Sequence, residues 1–202
     1  MIILTIDDVE VRAQDGSTIL AAARHVPGVG KIPTLCHSDS PAMEGVKPAR
    51  ACRVCTVEIV DAGKSRFSLA CITAAKDGMI VYTNSEGVKE RRKEIVSKHL
   101  ARCSKVKVVQ ELAKELGITA PEGELEEEEC ILCGMCERAC SDPRGMGMKA
   151  ITLVKKGDIS YYEVDTETCY GCGDCMIACA LGSITLNGTA VLPKPKAIAG
   201  KK

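Results

Sequence analysis

Along the first thirteen residues the apolar side chains fall at every second position. Ile2, Leu4 and Ile6 are followed by Val9 and Val11, with Asp7-Asp8 between them. A period of two puts alternate side chains on opposite faces of a strand, so this stretch predicts a hairpin with an acidic turn. The short run Ile19-Leu20-Ala21-Ala22-Ala23 reads as a helix, with Ser17 or Asp15 as its cap. A long loop follows, broken by Pro27, Gly28, Gly30, Pro33, Pro41, Gly45 and Pro48. Val54-Thr56-Val57-Ile59 and Met79-Ile80-Val81 predict two further strands. Between residues 86 and 117 the spacing turns helical. Val88, Ile95, Val96 and Leu100 recur among Arg91, Arg92, Lys93 and Glu94, and a second helix runs through Val106, Val109, Leu112, Ala113 and Leu116 to a stop at Gly117.

At 202 residues the chain is long enough for one or two small domains. Lys and Arg number 27, as do Asp and Glu. That balance argues against nucleic-acid binding, which calls for a basic excess. No apolar run is long enough to span a membrane. The first residues lack the basic start of a signal peptide, so a cytoplasmic location is expected. Cysteine changes the picture. There are 13 cysteines and five aromatic residues: Phe67, Tyr82, Tyr161, Tyr162 and Tyr170. In a reducing compartment so many thiols point to metal rather than to disulfides.

The cysteines are grouped. Cys130, Cys133, Cys136 and Cys140 form one run with the pattern C-x2-C-x2-C-x3-C, and Cys169, Cys172, Cys175 and Cys179 repeat it 39 residues on. The first three thiolates of such a run surround three corners of a [4Fe–4S] cubane, and the fourth ligates the other cluster. One cluster is therefore assigned to Cys130, Cys133, Cys136 and Cys179, the other to Cys169, Cys172, Cys175 and Cys140. Gly134, Gly171 and Gly173 would let the backbone approach closely. Structural zinc uses paired C-x2-C elements, which a third cysteine in step does not match. Ser141 and Ala180 stand where such runs usually carry proline.

The remaining group, Cys36, Cys52, Cys55 and Cys71, has the spacing C-x15-C-x2-C-x15-C. Four thiolates suit a [2Fe–2S] rhomb, two per iron. Strand, strand, helix, cysteine loop and strands is β-grasp order. The segments Pro33-Thr34-Leu35-Cys36-His37, Ala51 to Glu58 and Leu69-Ala70-Cys71 resemble the N-terminal domain of the large iron–sulfur subunit of complex I. The same module begins [FeFe]-hydrogenases, NAD-linked formate dehydrogenases and the iron–sulfur diaphorase subunit of NAD-linked hydrogenases. The resemblance implies an α+β chain in four parts: a [2Fe–2S] β-grasp domain at 1–84, a helical linker at 85–121, a two-cluster ferredoxin-like domain at 122–190 and a tail at 191–202. It implies one [2Fe–2S] and two [4Fe–4S] clusters and a non-catalytic, electron-transfer role. The implied partners are an FMN- and NAD(P)H-binding flavoprotein, a catalytic hydrogenase or dehydrogenase subunit, and a ferredoxin. The alternative is a free polyferredoxin-type carrier.

In that family the linker holds a further cluster through H-x3-C-x2-C-x5-C. Here His99 and Cys103 remain, but Val106 and Leu112 fill the other two positions. Two ligands cannot hold a cubane, so the site is expected to be apolar core. Six glutamates between residues 122 and 129 read as a solvated linker, and the Pro- and Lys-bearing tail as a segment resting on a partner or moving freely. His25 and His37 are expected in loops. No G-x-G-x-x-G, P-loop or nucleophile constellation is present.

Overall fold

The computed structural model describes every residue except 39, 44, 62, 120–124 and 197–202. Glu122 and Glu124 of the acidic run, and Lys201 and Lys202 of the tail, lie outside the described residues. The N-terminal module is a five-stranded mixed sheet in the order β2-β1-β5-β3-β4. Its strands are β1 (Ile2–Ile6), β2 (Val9–Ala13), β3 (Thr56–Asp61), β4 (Lys64–Leu69) and β5 (Ile80–Tyr82). β1 pairs antiparallel with β2 and parallel with β5. The expected turn is there, with Asp7 and Asp8 both at positive φ, 49° and 64°. Two such residues in succession give the twist a tight hairpin needs, and Asp tolerates that region better than most side chains.

Asp7 does more than turn the chain. Its carboxylate accepts hydrogen bonds from Gly30 N at 2.9 Å, Thr83 N at 2.7 Å and Thr83 Oγ1 at 2.5 Å. The hairpin is thus tied to the long loop and to the end of β5. Helix α1 (Ile19–Ala23) packs over the sheet, and Leu4, Ile6, Val11, Ile19, Val57, Ile59 and Val81 form a nearly water-free core. Each such side chain contributes about 1.5–3 kcal/mol by leaving water.

Three readings need correction here. The cap of α1 is Thr18, whose Oγ1 accepts from Ala21 N at 3.2 Å, whereas Ser17 turns its hydroxyl back to Gln14 O. Thr18 is also held by a bridge to Ala74, which fixes the extended backbone a cap requires. Val54 lies in the turn ahead of β3, not in the strand. And β4 was not foreseen: its polar, half-exposed side chains suit an edge strand and leave no apolar alternation to read.

Helices α2 (Glu86–Arg102) and α3 (Lys107–Glu115) follow as expected. Ser85 caps α2 by accepting from Val88 N, and Gly117, at φ 65°, closes α3 while Ile118 N bonds to Ala113 O. The acidic stretch is docked rather than loose. Glu126 N bonds to Ala101 O, Ser104 N to Glu126 O and Glu128 N to Arg102 O, so its backbone pairs with the end of α2 while its side chains face water. The described part of the tail also packs on this chain. Leu192 is buried, and Lys196 bonds Glu128 and pairs with Glu129.

The C-terminal module has two short helices, α4 (Met135–Ser141) and α5 (Asp174–Ala178), packed on each other and related by the repeat. Two hairpins unread in the sequence frame them: β6 (Ile151–Lys156) with β7 (Ile159–Val164), and β8 (Thr185–Leu186) with β9 (Ala190–Val191). The turns Gly157-Asp158 and Asn187-Gly188 were their signals. Thr18→Ala should lower stability by about 1 kcal/mol, and Ser17→Ala should leave it nearly unchanged. Thermal unfolding of the two variants checks this, and equal losses would contradict the assigned cap.

Candidate iron–sulfur centres

The first group of thiols sits among Leu35, Met43, Val46 and Val54 and against the sheet. Cys36, Cys52, Cys55 and Cys71 are all buried. They come in two close pairs. Cys52 N donates to Cys36 Sγ at 3.4 Å, and the sulfurs of Cys55 and Cys71 lie 3.3 Å apart. Arg50 and Arg53, on either side of Cys52, sit at φ 64° and 59°. Non-glycine residues adopt that conformation only at a cost, and here it turns the loop inward. The Cys36 thiol is brought down to about 6, first by its hydrogen bond with Cys52 and then by the N–H groups of Cys52, Ala51 and Arg50, against burial. Cys52 is pushed up as the partner that keeps the proton. Cys55 and Cys71 split the same way, Cys55 down and Cys71 up.

The two later runs interleave. Cys130, Cys133, Cys136 and Cys179 line one hollow, closed by Tyr162, Leu181, Ile184, Leu192 and Pro193. Cys140, Cys169, Cys172 and Cys175 line a second, with Ile151, Tyr170 and Leu186. The fourth cysteine of each run thus crosses to the hollow of the other. The crossing follows from the helices. Cys136 and Cys140 both lie in α4, one turn apart, while Cys175 lies in α5 and Cys179 caps its end. Burial pushes the Cys130, Cys133, Cys136 and Cys175 thiols up. Cys133 is pushed up to about 12 and Cys175 to about 11, desolvation being the main cause and neighbouring sulfurs adding to it. A metal that replaces those protons relieves that cost.

The donor chemistry suits iron–sulfur clusters. Each set offers four soft sulfurs, and among the described residues no histidine or carboxylate lines either later hollow except Glu129 in the first. The backbone comes close as well. A Cβ on Gly171 would meet Gly188 O at 2.4 Å, so only glycine allows this approach. At the matching position of the first run stands Leu132, held at φ 55° with its N–H on Cys130 Sγ at 3.3 Å.

His99 and Cys103 do not join a thiol set. His99 Nε2 lies 2.9 Å from Cys52 O, and Cys103 is fully buried with Val106 and Leu112. Burial pushes the Cys103 thiol up to about 12. His25 is exposed, and His37 is half-buried beside Cys36. One residue at the first site was missed. Arg92 is buried on the inner face of α2, at helical spacing from Val88 and Val96; that spacing was its signal, hidden in a run of charges.

Comparison with known proteins decides the cofactor class. Residues 1–86 match the family of 2Fe-2S iron-sulfur cluster binding domains, and residues 129–183 match the 4Fe-4S dicluster domain. The chain carries these two domains in that order. This iron–sulfur protein is 29% identical to an NADH-quinone oxidoreductase subunit from Rhizobium meliloti, over 91% of its own length and 24% of that protein's. It is 29% identical to NADP-reducing hydrogenase subunit HndD of Solidesulfovibrio fructosivorans, over 91% of its length and 36% of the other's. The alpha subunit of NADPH-Fe(3+) oxidoreductase of Geobacter sulfurreducens is 32% identical, again over 91% and 24%. The iron–sulfur protein thus spans between a quarter and just over a third of these relatives. An NAD+-reducing [NiFe]-hydrogenase in the H2-reduced state shares the fold, with a TM-score of 0.65 and 21% identity over 99% of this chain and 90% of that one. No described helix is long and apolar enough to cross a membrane.

Gly171→Ala should disrupt the second hollow and lower iron content, because the added methyl meets backbone that cannot move aside. Leu132→Gly should retain iron and raise the stability of the cluster-loaded protein by up to about 1 kcal/mol by relieving the left-handed leucine. Iron analysis with thermal unfolding reads both; full iron in the Gly171 variant would contradict the close approach.

Proposed function

We propose that the chain is an electron-relay subunit with three cluster sites in a row. Cys36 and Cys52 would hold one iron of a [2Fe–2S] cluster and Cys55 and Cys71 the other. Cys130, Cys133, Cys136 and Cys179 would hold the first [4Fe–4S] cluster, and Cys140, Cys169, Cys172 and Cys175 the second. Bound in such sites, iron–sulfur clusters take up and release single electrons. The domain limits follow from the sites: 1–84 for the [2Fe–2S] domain, 85–121 for the helical linker, 122–190 for the dicluster domain and 191–202 for the tail.

One observation carries the reading. The [2Fe–2S] loop and the first cubane hollow share a single apolar core, in which Leu35, Cys36, Cys52, Leu100, Val106, Cys133 and Met135 pack together. Charge on the Cys36 sulfur is felt at Cys133, among the influences that push that thiol up. Ser38 Oγ donates to Ile177 O at 3.1 Å, pinning the loop to α5. The two donor sets therefore adjoin, even though Val106 and Leu112 fill the positions where the linker cluster of the resembled family is held. The chain's own residues supply what the relay needs. Apolar walls exclude water from the first hollow, and N–H groups point at ligand sulfurs. Cys172, by contrast, is exposed, which puts the second hollow nearest to solvent at the end of the row.

On this reading the protein works in the cytoplasm between an FMN- and NAD(P)H-binding flavoprotein and a catalytic hydrogenase, formate dehydrogenase or other low-potential reductase. The names of the relatives support such partners, and low-potential cluster chemistry suits them. Anaerobic purification of the native protein with mass spectrometry of what accompanies it tests the subunit role. A flavoprotein and a metal-containing catalytic subunit in fixed ratio are expected. A protein that comes out alone, fully loaded and readily reducible, would make it a free carrier.

A further inference from the structure

Arg92 lies in the middle of the buried stripe of α2, one turn from Val88 and one from Val96, both with no exposed surface. It is itself only 5% exposed. Its Nη2 donates to Thr56 O at 2.7 Å, and Thr56 follows Cys55 directly. Its Nε has no hydrogen-bond partner, and it makes no ion pair among the described residues. A buried cation without a carboxylate partner is expensive, and an apolar side chain at this place in the stripe would pack at lower cost. The charged groups that act on it are the Cys55 sulfur, from the loop before β3, and Asp7, from the β1–β2 turn. Asp7 is already committed to Gly30 and Thr83. Of the two, the Cys55 sulfur acts on the guanidinium more strongly than Asp7 does.

We propose that Arg92 is the buried counter-charge of the [2Fe–2S] site: fixed on the carbonyl next to Cys55, its guanidinium raises the reduction potential of a cluster bound by Cys36, Cys52, Cys55 and Cys71. The inference rests on that ligand set. A cluster held by four thiolates is anionic, and it gains a further negative charge when reduced. A fixed positive charge nearby favours the reduced form more than the oxidised one. Burial makes the effect larger, because little water lies between the charges to screen them. Arg92 touches no reacting atom on this account; it is a positioning residue for the Thr56 backbone and a source of field for the cluster.

The test is an EPR-monitored redox titration of the full-length, cluster-loaded protein and two variants at neutral pH. Arg92→Lys keeps the charge. Arg92→Gln keeps a donor for Thr56 O and removes the charge. The parent must first show a [2Fe–2S] signal that Cys36→Ser abolishes; its absence would sink the ligand assignment itself, separately from the role of Arg92. Given that signal, the Gln variant should shift its [2Fe–2S] potential to more negative values, the Lys variant should stay close to the parent, and the [4Fe–4S] potentials should move in neither. An unmoved potential in the Gln variant overturns the proposal. So does an equal shift in both variants, which would make Arg92 a packing residue. If the Gln variant fails to load the cluster while the Lys variant loads it at the parental potential, charge is what the site requires and the proposal stands; failure of both overturns it.

Discussion

The interior of this molecule depends on sulfur. With one phenylalanine and no tryptophan, the chain lacks the large side chains that usually close a core. Thiols take their place: Cys36, Cys52, Cys55, Cys71, Cys103, Cys136 and Cys175 are all buried. Buried thiols resist losing their protons, and buried thiolates resist standing alone. A bound metal cluster would resolve both costs at once and so couple its binding to folding. The C-terminal module's helices are five and seven residues long, and its hairpin β8–β9 pairs strands of two residues.

That constraint reaches into the backbone. Arg50, Arg53 and Leu132 accept left-handed conformations beside ligand-spaced cysteines, and Gly134 and Gly173 do the same at the starts of α4 and α5. The glycines carry no steric cost there, while the arginines and the leucine do. Asp7 and Asp8 in the hairpin turn and His25 take the same conformation away from the cysteines. Helix α2 then joins the modules. Its inner face holds Arg92 behind the first site, while Arg102 at its end donates to Cys130 O at 2.9 Å. A single rigid element therefore touches both the first thiol set and the second.

The cysteine grouping was legible in the sequence because metal ligands obey spacing rules that survive without any knowledge of packing. Cys179 lines the hollow of the first run and Cys140 that of the second. The β1–β2 hairpin and both linker helices were legible because their apolar periods are regular. What escaped the sequence was decided by packing. The edge strand β4 hides its pairing behind lysine, serine and arginine. Arg92 sits among six consecutive charged residues, Lys89 to Glu94, and only the helical stripe shows that it points inward. The acidic stretch looked solvated by composition, yet its backbone completes hydrogen bonds left open at the end of α2. The adjacency of the first two sites was not legible either, since it depends on residues 35–46 and 96–113 meeting in space.

The central claim is that three thiol sets hold three clusters on one chain. Mössbauer spectroscopy of the anaerobically purified, 57Fe-enriched protein, with iron measured per chain, tests it most directly. About ten irons per chain are expected, divided between one [2Fe–2S] and two [4Fe–4S] clusters. Bound zinc in place of iron, or a spectrum with a single [4Fe–4S] component at full occupancy, would contradict it.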